Sequence, residues 1–305
     1  MKSYFEANSP LGLQLSKQFM IARKGGAESK VFNNQIVLVD RAHALPKNSD
    51  PSQAILISAG LSAEDLLVQT LQSRIPHIIQ TSLPIVERDL AAEIAISAAL
   101  IEQPQDFFSN PLKALLPQVQ AKIFSREIIG AHSKSSTLEE VLVFLKQIPG
   151  SATVRDHLIR IADELYMNAI FSAPVDSSGN PKYRDCDRTK EVQLEKHEQG
   201  MLQIGFDAQS VVLVCIDPFG SLDTNRLLSS IEQIYKKGVI ASMRSEPGGA
   251  GIGFHAVYDL TPSLYLGVSP KRKTAICCKF PLGMSYRELE GTPKSLHLIH
   301  STDPA

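Results

Sequence analysis

The segment ADELYMNAIFSAP, residues 162–174, decides the fold of the second half of the chain. It continues a stretch in which apolar residues recur every three or four positions, which predicts a helix with one buried face. The apolar positions are Val154, Leu158, Ile161 and Leu165. Glu164 and Asn168 are four residues apart, so we expect them one turn apart on an adjoining face. Alone, this pair is a weak signal, because solvated helix faces often carry both residue types.

A second segment, SVVLVCIDPFG at residues 210–220, predicts a buried strand that ends in a carboxylate. The apolar run delivers Asp217 to the end of that strand, just before a turn through Pro218 to Gly220. An aspartate in this place can accept a hydrogen bond from a ligand amine. It can equally serve the turn, because aspartate readily bonds nearby backbone amides.

A third segment, SEPGGAGIGFHAVYDL at residues 245–260, places a glycine cluster before an apolar helix. Glycines let the backbone approach a ligand closely, and the amides at the start of a helix bind anions. The cluster lacks the Lys-Ser or Lys-Thr pair of a P-loop. It also lacks a clear strand before it, which a dinucleotide-binding fingerprint requires. The glycines therefore suggest a phosphate site without defining its class.

In their order and spacing, the three segments resemble the GHKL superfamily of ATP-binding proteins. That group includes gyrase B subunits, sensor histidine kinases, MutL proteins and anti-sigma serine kinases. ELYMNA (164–169) resembles its N-box, VCIDPFG (214–220) its first glycine box and GAGIGF (249–254) its second. The resemblance covers about residues 137–284 and is closest to the anti-sigma serine kinases. A sensor histidine kinase would need a long helical hairpin with a phosphoacceptor, which neither His132 nor His157 supplies.

The resemblance implies a Bergerat-type fold, a mixed sheet with helices on one face, which binds ATP and Mg²⁺. Glu164 would polarise the attacking hydroxyl or water, and Asn168 would hold the metal through its amide oxygen. Asp217 would accept a hydrogen bond from the adenine amino group, near which the family often has a threonine, here Thr274. The glycines implied in the site are Gly220, Gly249, Gly251 and Gly253. A lid over the nucleotide would come from residues 236–250.

Two features depart from the family pattern. The first glycine box usually has glycine where Phe219 stands, so either Gly220 takes its role or the wall of the pocket is changed. A hydrophilic segment between the N-box and the next strand carries Arg184, Arg188 and Lys190. These cations could reach phosphates or a partner, or the segment could be a solvated loop.

The first half of the chain predicts a small α/β domain. Short apolar strands at QIVLVD and AILISAG alternate with helices, and Ser62 with Asp65 predicts a capping box. Residues 34–120 weakly resemble a response-regulator receiver. The third-strand carboxylate that accepts phosphate is missing, and Asp40 alone remains of the acidic pair. A degenerate receiver-like interaction domain and an unrelated α/β domain are the two interpretations.

Composition limits the function classes. The 305 residues carry 31 Lys plus Arg against 32 Asp plus Glu, so no global field attracts a nucleic acid. The N-terminus lacks the apolar core of a signal peptide, and the apolar run at 91–101 is too short to span a membrane. We therefore expect a cytoplasmic protein with neither a membrane nor a nucleic-acid partner.

The predicted organisation has a loose segment at 1–33, a receiver-like domain at 34–125 and an ATP-binding domain at 126–305. Two functions follow. One is a protein serine or threonine kinase, or ATPase, in a bacterial regulatory switch, which phosphorylates or sequesters a protein partner. The other is a non-catalytic, ATP-dependent interaction module in a signalling complex. The expected partners are ATP or ADP and a regulatory protein, and a homodimer is among the expected assemblies.

Overall fold

A computed structural model of the chain describes residues 2–4, 11, 14, 36–40, 45–83, 87–116, 122–149, 152–188, 191–239 and 252–301. The chain is a mixed α/β protein with parallel and antiparallel strand pairs. It forms two compact units: unit 1 is Met1–Pro104 with Thr292–Ile299, and unit 2 is Gln105–Gly291 with His300–Ala305. The boundary between the two units therefore follows Pro104, earlier than the predicted domain boundary at residue 125. Residues 292–299, near the C-terminus, belong to unit 1.

Unit 1 contains a sheet whose strands are β1 (Lys2–Tyr4), β2 (Val37–Val39), β3 (Ala54–Ser58), β4 (His77–Gln80) and β10 (Ser295–His300). The first four are parallel and adjacent in chain order, and β10 pairs antiparallel with β4. Helices α1 (Ala63–Ser73) and α2 (Glu87–Glu102) accompany them. The predicted capping box is confirmed, because Ser62 and Asp65 bond each other's backbone amides at the start of α1.

The strand order of unit 1 differs from that of a receiver. Receivers have the order 2-1-3-4-5, whereas β1 to β4 lie side by side in sequence. The receiver-like interpretation is therefore not confirmed. Two strands were not predicted: β1, which lies in the segment expected to be loose, and β10. β1 has only three residues, too few to show an alternating pattern, whereas Ser295 to Leu298 of β10 do alternate polar and apolar residues and carry a weak strand signal.

Unit 2 has five strands that pair antiparallel throughout, in the order β8-β9-β7-β6-β5. They are β5 (Ile123–Ile128), β6 (Gly200–Phe206), β7 (Ser210–Asp217), β8 (Ser263–Ser269) and β9 (Lys273–Pro281). The helices are α3 (Pro104–Ser109), α4 (Pro111–Leu115), α5 (Lys134–Leu145), α6 (Ala152–Phe171), α7 (Thr224–Lys237), α8 (Ile252–Leu260) and α9 (Tyr286–Glu290). The resemblance implies a mixed sheet in this half of the chain, whereas these five strands pair only in the antiparallel direction.

Helices cover both faces of the unit 2 sheet, which corrects the expectation of helices on one face. On one face, Cys215 of β7 contacts α6, its Sγ lying 3.6 Å from the carbonyl oxygen of Leu165. On the other face, α3 packs so closely that a Cβ at Gly267 would lie 2.4 Å from the Phe107 ring. The reason is visible in β7, where Val211 to Cys215 are all buried and need cover on both sides. The stretch that contains Pro104 and Pro111 supplies α3 and α4.

Helix α6 positions the site, and its predicted core stripe is confirmed. The buried positions include Val154, Leu158, Ile161 and Leu165. The hydroxyl of Tyr166, which is fully buried, lies 2.8 Å from Ser133 Oγ and 3.2 Å from the Gly130 carbonyl oxygen. These contacts fix the rotation of α6 about its axis. Gly130 also forms an isolated bridge with Gln193, in the segment before β6.

Candidate functional site

A cavity of about 600 Å³ lies within unit 2, between α6, α7 and the ends of β7 and β9. Its volume is in the range of sites that bind small molecules and cofactors. Five predicted site residues line it: Glu164, Asn168, Asp217, Gly220 and Thr274. We call the part formed by Asp217, Gly220 and Thr274 the strand end, and the part formed by Glu164 and Asn168 the helix end.

At the helix end, Glu164 and Asn168 project from one half-buried face of α6. Asn168 Oδ1 accepts a hydrogen bond of 3.4 Å from Ser172 Oγ, one turn further along. Burial raises the pKa of Glu164, and the positive charge of Arg188 and a hydrogen bond from Asn168 oppose it only in part. A carboxylate in this environment is better suited to accept a proton than an ordinary surface glutamate.

Gly253 brings the second glycine box to Glu164. A Cβ built at Gly253 would lie 1.9 Å from Glu164 Oε1 and 2.1 Å from its carboxyl carbon, so a larger residue here would displace the Glu164 carboxylate. The carboxylate thus rests against the first turn of α8, where the helix dipole favours a negative charge. Gly249 and Gly251 lie outside the described residues, as do Lys190 and residues 240–250 of the predicted lid.

At the strand end, Asp217 and Thr274 lie directly opposite each other in the β7–β9 ladder. Both are buried, with 7% and 1% of their surface exposed. Burial raises the pKa of Asp217 to about 6, against the opposing hydrogen bond from the Phe219 backbone amide. Among the described residues, none forms a hydrogen bond of normal geometry with Thr274 Oγ1. The Thr274 hydroxyl is nevertheless close enough to the Asp217 carboxylate to lower the pKa of Asp217 against the effect of burial.

Asp217 also serves the turn that follows it. Its Oδ1 accepts a hydrogen bond of 3.0 Å from the Phe219 amide. The turn role is therefore confirmed, while the role toward a ligand amine stays a prediction. Hydrogen bonds from the backbone amides of Gly220 and Thr274 also lower the pKa of Asp217, so the surrounding backbone uses part of the acceptor capacity of this carboxylate.

The turn after Asp217 has its left-handed residue at Gly220. Gly220, and not Phe219, has a left-handed backbone, with φ of +60°. A Cβ there would lie 2.0 Å from the Ser269 carbonyl oxygen and 2.9 Å from the Lys271 amide. Gly220 therefore supplies the close backbone approach, and the half-buried Phe219 is left to line the cavity with its ring.

Four exposed cations surround the cavity: Arg184, Arg188, Arg226 and Lys271. The first two come from the hydrophilic segment after α6, so that segment borders the cavity in addition to facing solvent. Sequence reasoning missed Arg226, which lies near the start of α7, and Lys271, which lies in the β8–β9 turn. Lys271 reaches the cavity because that turn and Asp217 lie at the same edge of the antiparallel sheet, a placement that depends on the β7–β9 register.

The donors present suit a magnesium ion bound mainly through phosphates. Mg²⁺ in nucleotide sites typically takes one or two protein oxygens and completes its shell with phosphate and water. The Asn168 amide oxygen, with the Glu164 carboxylate beside it, supplies oxygens of that kind at the helix end. Within the described ranges, no cluster of three or more His, Cys, Asp or Glu side chains could hold a metal ion.

Comparison with models of known protein families and with curated proteins returns no match for this chain. Among the helices in the described part of the chain, none is both long and apolar enough to cross a membrane.

Proposed function

We propose that unit 2 binds ATP with Mg²⁺ and acts as a signalling ATPase or kinase of the GHKL type, closest to the anti-sigma serine kinases. It would phosphorylate or sequester a regulatory protein partner. One observation carries the proposal: a single cavity gathers residues from three separate segments that the resemblance assigns to one nucleotide. Glu164 and Asn168 come from α6, Asp217 and Gly220 from the end of β7, and Thr274 from β9.

The nucleotide would lie along the cavity with its base at the strand end. There Asp217 would accept a hydrogen bond from the adenine amino group, and Thr274 Oγ1 would find a partner on the base. The phosphates would lie at the helix end, near the first turn of α8, where backbone amides favour anions. Asn168 would hold the metal that bridges them.

The chemistry would be a phosphoryl transfer. Glu164 would accept the proton of a serine or threonine hydroxyl, or of water, as that oxygen attacks the terminal phosphorus. The bond to the bridging oxygen would break, and ADP would leave with that oxygen. The site would contribute mainly by holding the reactants in line and neutralising charge.

Titration calorimetry with ATP and with ADP, each with Mg²⁺, tests the binding directly. A hydrolysis assay on the same sample then tests turnover. Saturable binding of both nucleotides, with ATP bound more weakly when Mg²⁺ is removed, supports the proposal. Failure of the wild-type protein to bind either nucleotide would refute it.

A second candidate is an ATP-dependent interaction module without turnover, and Phe219 favours it. The ring lines the cavity where the family usually has glycine, so it changes the wall against which the nucleotide would lie. The fate of the terminal phosphate in a single turnover, with a cell extract as the source of an acceptor, separates the two. Label transferred to an extract protein by the wild type, and lost in Glu164→Ala, would end the binding-only hypothesis.

A further inference from the structure

The segment between α6 and β6 has a defined local structure. Asp176 Oδ1 accepts hydrogen bonds from the backbone amides of Ser178 (2.8 Å) and Asn180 (2.9 Å). An isolated bridge joins Val175 to Pro181 across this turn. The turn brings Gly179 and Pro181 to the cavity wall. The hydrophilic composition of the segment therefore does not make it an unstructured loop.

A buried carboxylate anchors the same segment immediately before its first arginine. Glu198 has 1% of its surface exposed and forms an ion pair with Lys182. It also accepts hydrogen bonds from the Tyr183 hydroxyl (3.2 Å) and the Glu195 amide (3.1 Å). Burial alone would raise the pKa of Glu198, but the ion pair and these bonds hold it below the usual value. A buried charge is stable only when it is paired in this way, so residues 182 and 183 are held in place.

Beyond this anchor, Arg184 and Arg188 both border the cavity. Of all charged groups, Arg188 has the largest effect on the pKa of Glu164, which it lowers against the effect of burial. Because Arg188 and Glu164 line the same cavity and their charges interact, we assign Arg188 to the helix end, where the phosphates of a bound nucleotide would be.

We propose that Arg188 binds the terminal phosphate of ATP and makes the cavity distinguish ATP from ADP. The inference rests on the proposed function. A guanidinium can donate two parallel hydrogen bonds to one phosphate, which a lysine ammonium cannot reproduce. Glu198 fixes the segment at Lys182 and Tyr183, so only the few residues after Tyr183 need to be ordered when Arg188 binds. In ADP the group that Arg188 would bind is missing.

Calorimetric titrations of Arg188→Gln and Arg188→Lys with Mg²⁺ and a non-hydrolysable ATP analogue, and separately with Mg²⁺ and ADP, test this. Arg188→Gln should lower the affinity for the ATP analogue by about 10- to 100-fold, the range expected when a charge-assisted pair is lost. The affinity of the same variant for ADP should fall by less than about 3-fold. Arg188→Lys should bind the ATP analogue more tightly than Arg188→Gln, though less tightly than the wild type. Arg160→Gln, an exposed arginine on α6 away from the cavity, is the matched control.

An equal loss for both nucleotides, or no loss for either, would overturn the inference while leaving nucleotide binding intact. Wild-type protein that binds neither nucleotide would overturn both this inference and the proposed function. The anchor has its own test in Glu198→Gln, which keeps the volume and removes the charge. In that variant the affinity for the ATP analogue should fall by less than in Arg188→Gln, but again by more than the affinity for ADP. An equal fall in affinity for both nucleotides would show that Glu198 does not position Arg188.

Discussion

The strand end and the helix end of the cavity are built from different kinds of structure. At the strand end, Asp217 and Thr274 are buried and fixed opposite each other by the β7–β9 register. At the helix end, Glu164 and Asn168 are only half-buried, and the positive charge beside them comes from the exposed Arg188. The comparison suggests that the strand end selects a base with preset geometry, whereas the helix end responds to the charge of the ligand. The predictions below test that division.

The largest expected effect is on turnover at the helix end. Glu164→Ala should slow phosphate release or transfer by about 10²- to 10⁴-fold, because a general base acts in the transition state. ATP affinity should stay nearly unchanged. Single-turnover release of labelled phosphate measures the first quantity and calorimetry the second. Asp156→Asn, an exposed carboxylate on the same helix outside the cavity, should retain wild-type turnover. If the protein is a binding module, the wild type will already show negligible turnover.

Next in size is a change of stability at the strand end. Gly220→Ala forces a side chain into a left-handed backbone and against the Ser269 carbonyl oxygen. We expect it to lower the free energy of unfolding by about 2–3 kcal/mol. Urea denaturation of the variant measures this. Gly179→Ala is a useful comparison, since its φ is also positive at +85° but a Cβ there meets no atom within 4 Å. Equal losses in the two variants would show that the close contact at Gly220 is unimportant.

The raised pKa of Asp217 predicts a stability that depends on pH. Its folded pKa is about 6 against an ordinary value of 3.8. The folded state therefore binds the Asp217 proton more tightly than the unfolded state does. Below about pH 4 the residue does not lower the free energy of unfolding, and as the pH rises toward 6 it lowers that free energy increasingly. The shift corresponds to at most about 3 kcal/mol above pH 6.

Asp217→Asn should therefore raise the melting temperature at pH 7.5, and the gain should shrink at pH 4.5. Calorimetric melting at both pH values measures it. Asp207→Asn, in the turn between β6 and β7, is a control in which the acid is not buried. A gain for Asp217→Asn that is the same at both pH values would contradict the account of its burial.

A smaller effect is expected for the metal. Asn168→Ala should reduce ATP affinity by about 10-fold in the presence of Mg²⁺ and hardly at all in its absence, because an amide oxygen is one ligand among several. Calorimetry in buffers with Mg²⁺ and with a chelator measures the difference. Ser172→Ala, which removes only the bond to Asn168 Oδ1, should change Mg²⁺ dependence less. Equal losses with and without metal would assign Asn168 to the nucleotide itself.

The local features of the site could be predicted from the sequence, because each depends on a short pattern. The spacing on α6 placed Glu164 and Asn168 on one face, and the apolar run of β7 ended at Asp217 as expected. Ser62 and Asp65 formed their capping box for the same reason. These features follow from hydrogen bonding and side-chain periodicity within a few residues.

The features that were missed depend on contacts between distant segments. Nothing near Lys271 indicates that its turn packs against Gly220, which is far away in the chain. The pairing of β10 with β4 likewise joins residues far apart in the chain, such as His297 and His77, and local sequence carries no signal for which strand β10 will pair with. Phe107 and Phe108 lie in a proline-rich stretch, and only the two-sided burial of β7 shows why helices form there.

The most direct test of the account is nucleotide selectivity in wild-type protein and in Asp217→Asn. Titration with Mg²⁺ and ATP, and then with Mg²⁺ and GTP, measures whether the strand end recognises an adenine amino group. The account predicts that the wild type prefers ATP and that Asp217→Asn weakens ATP by about 10-fold or more while changing GTP little. ATP affinity in the variant equal to that of the wild type would contradict the placement of the base at Asp217.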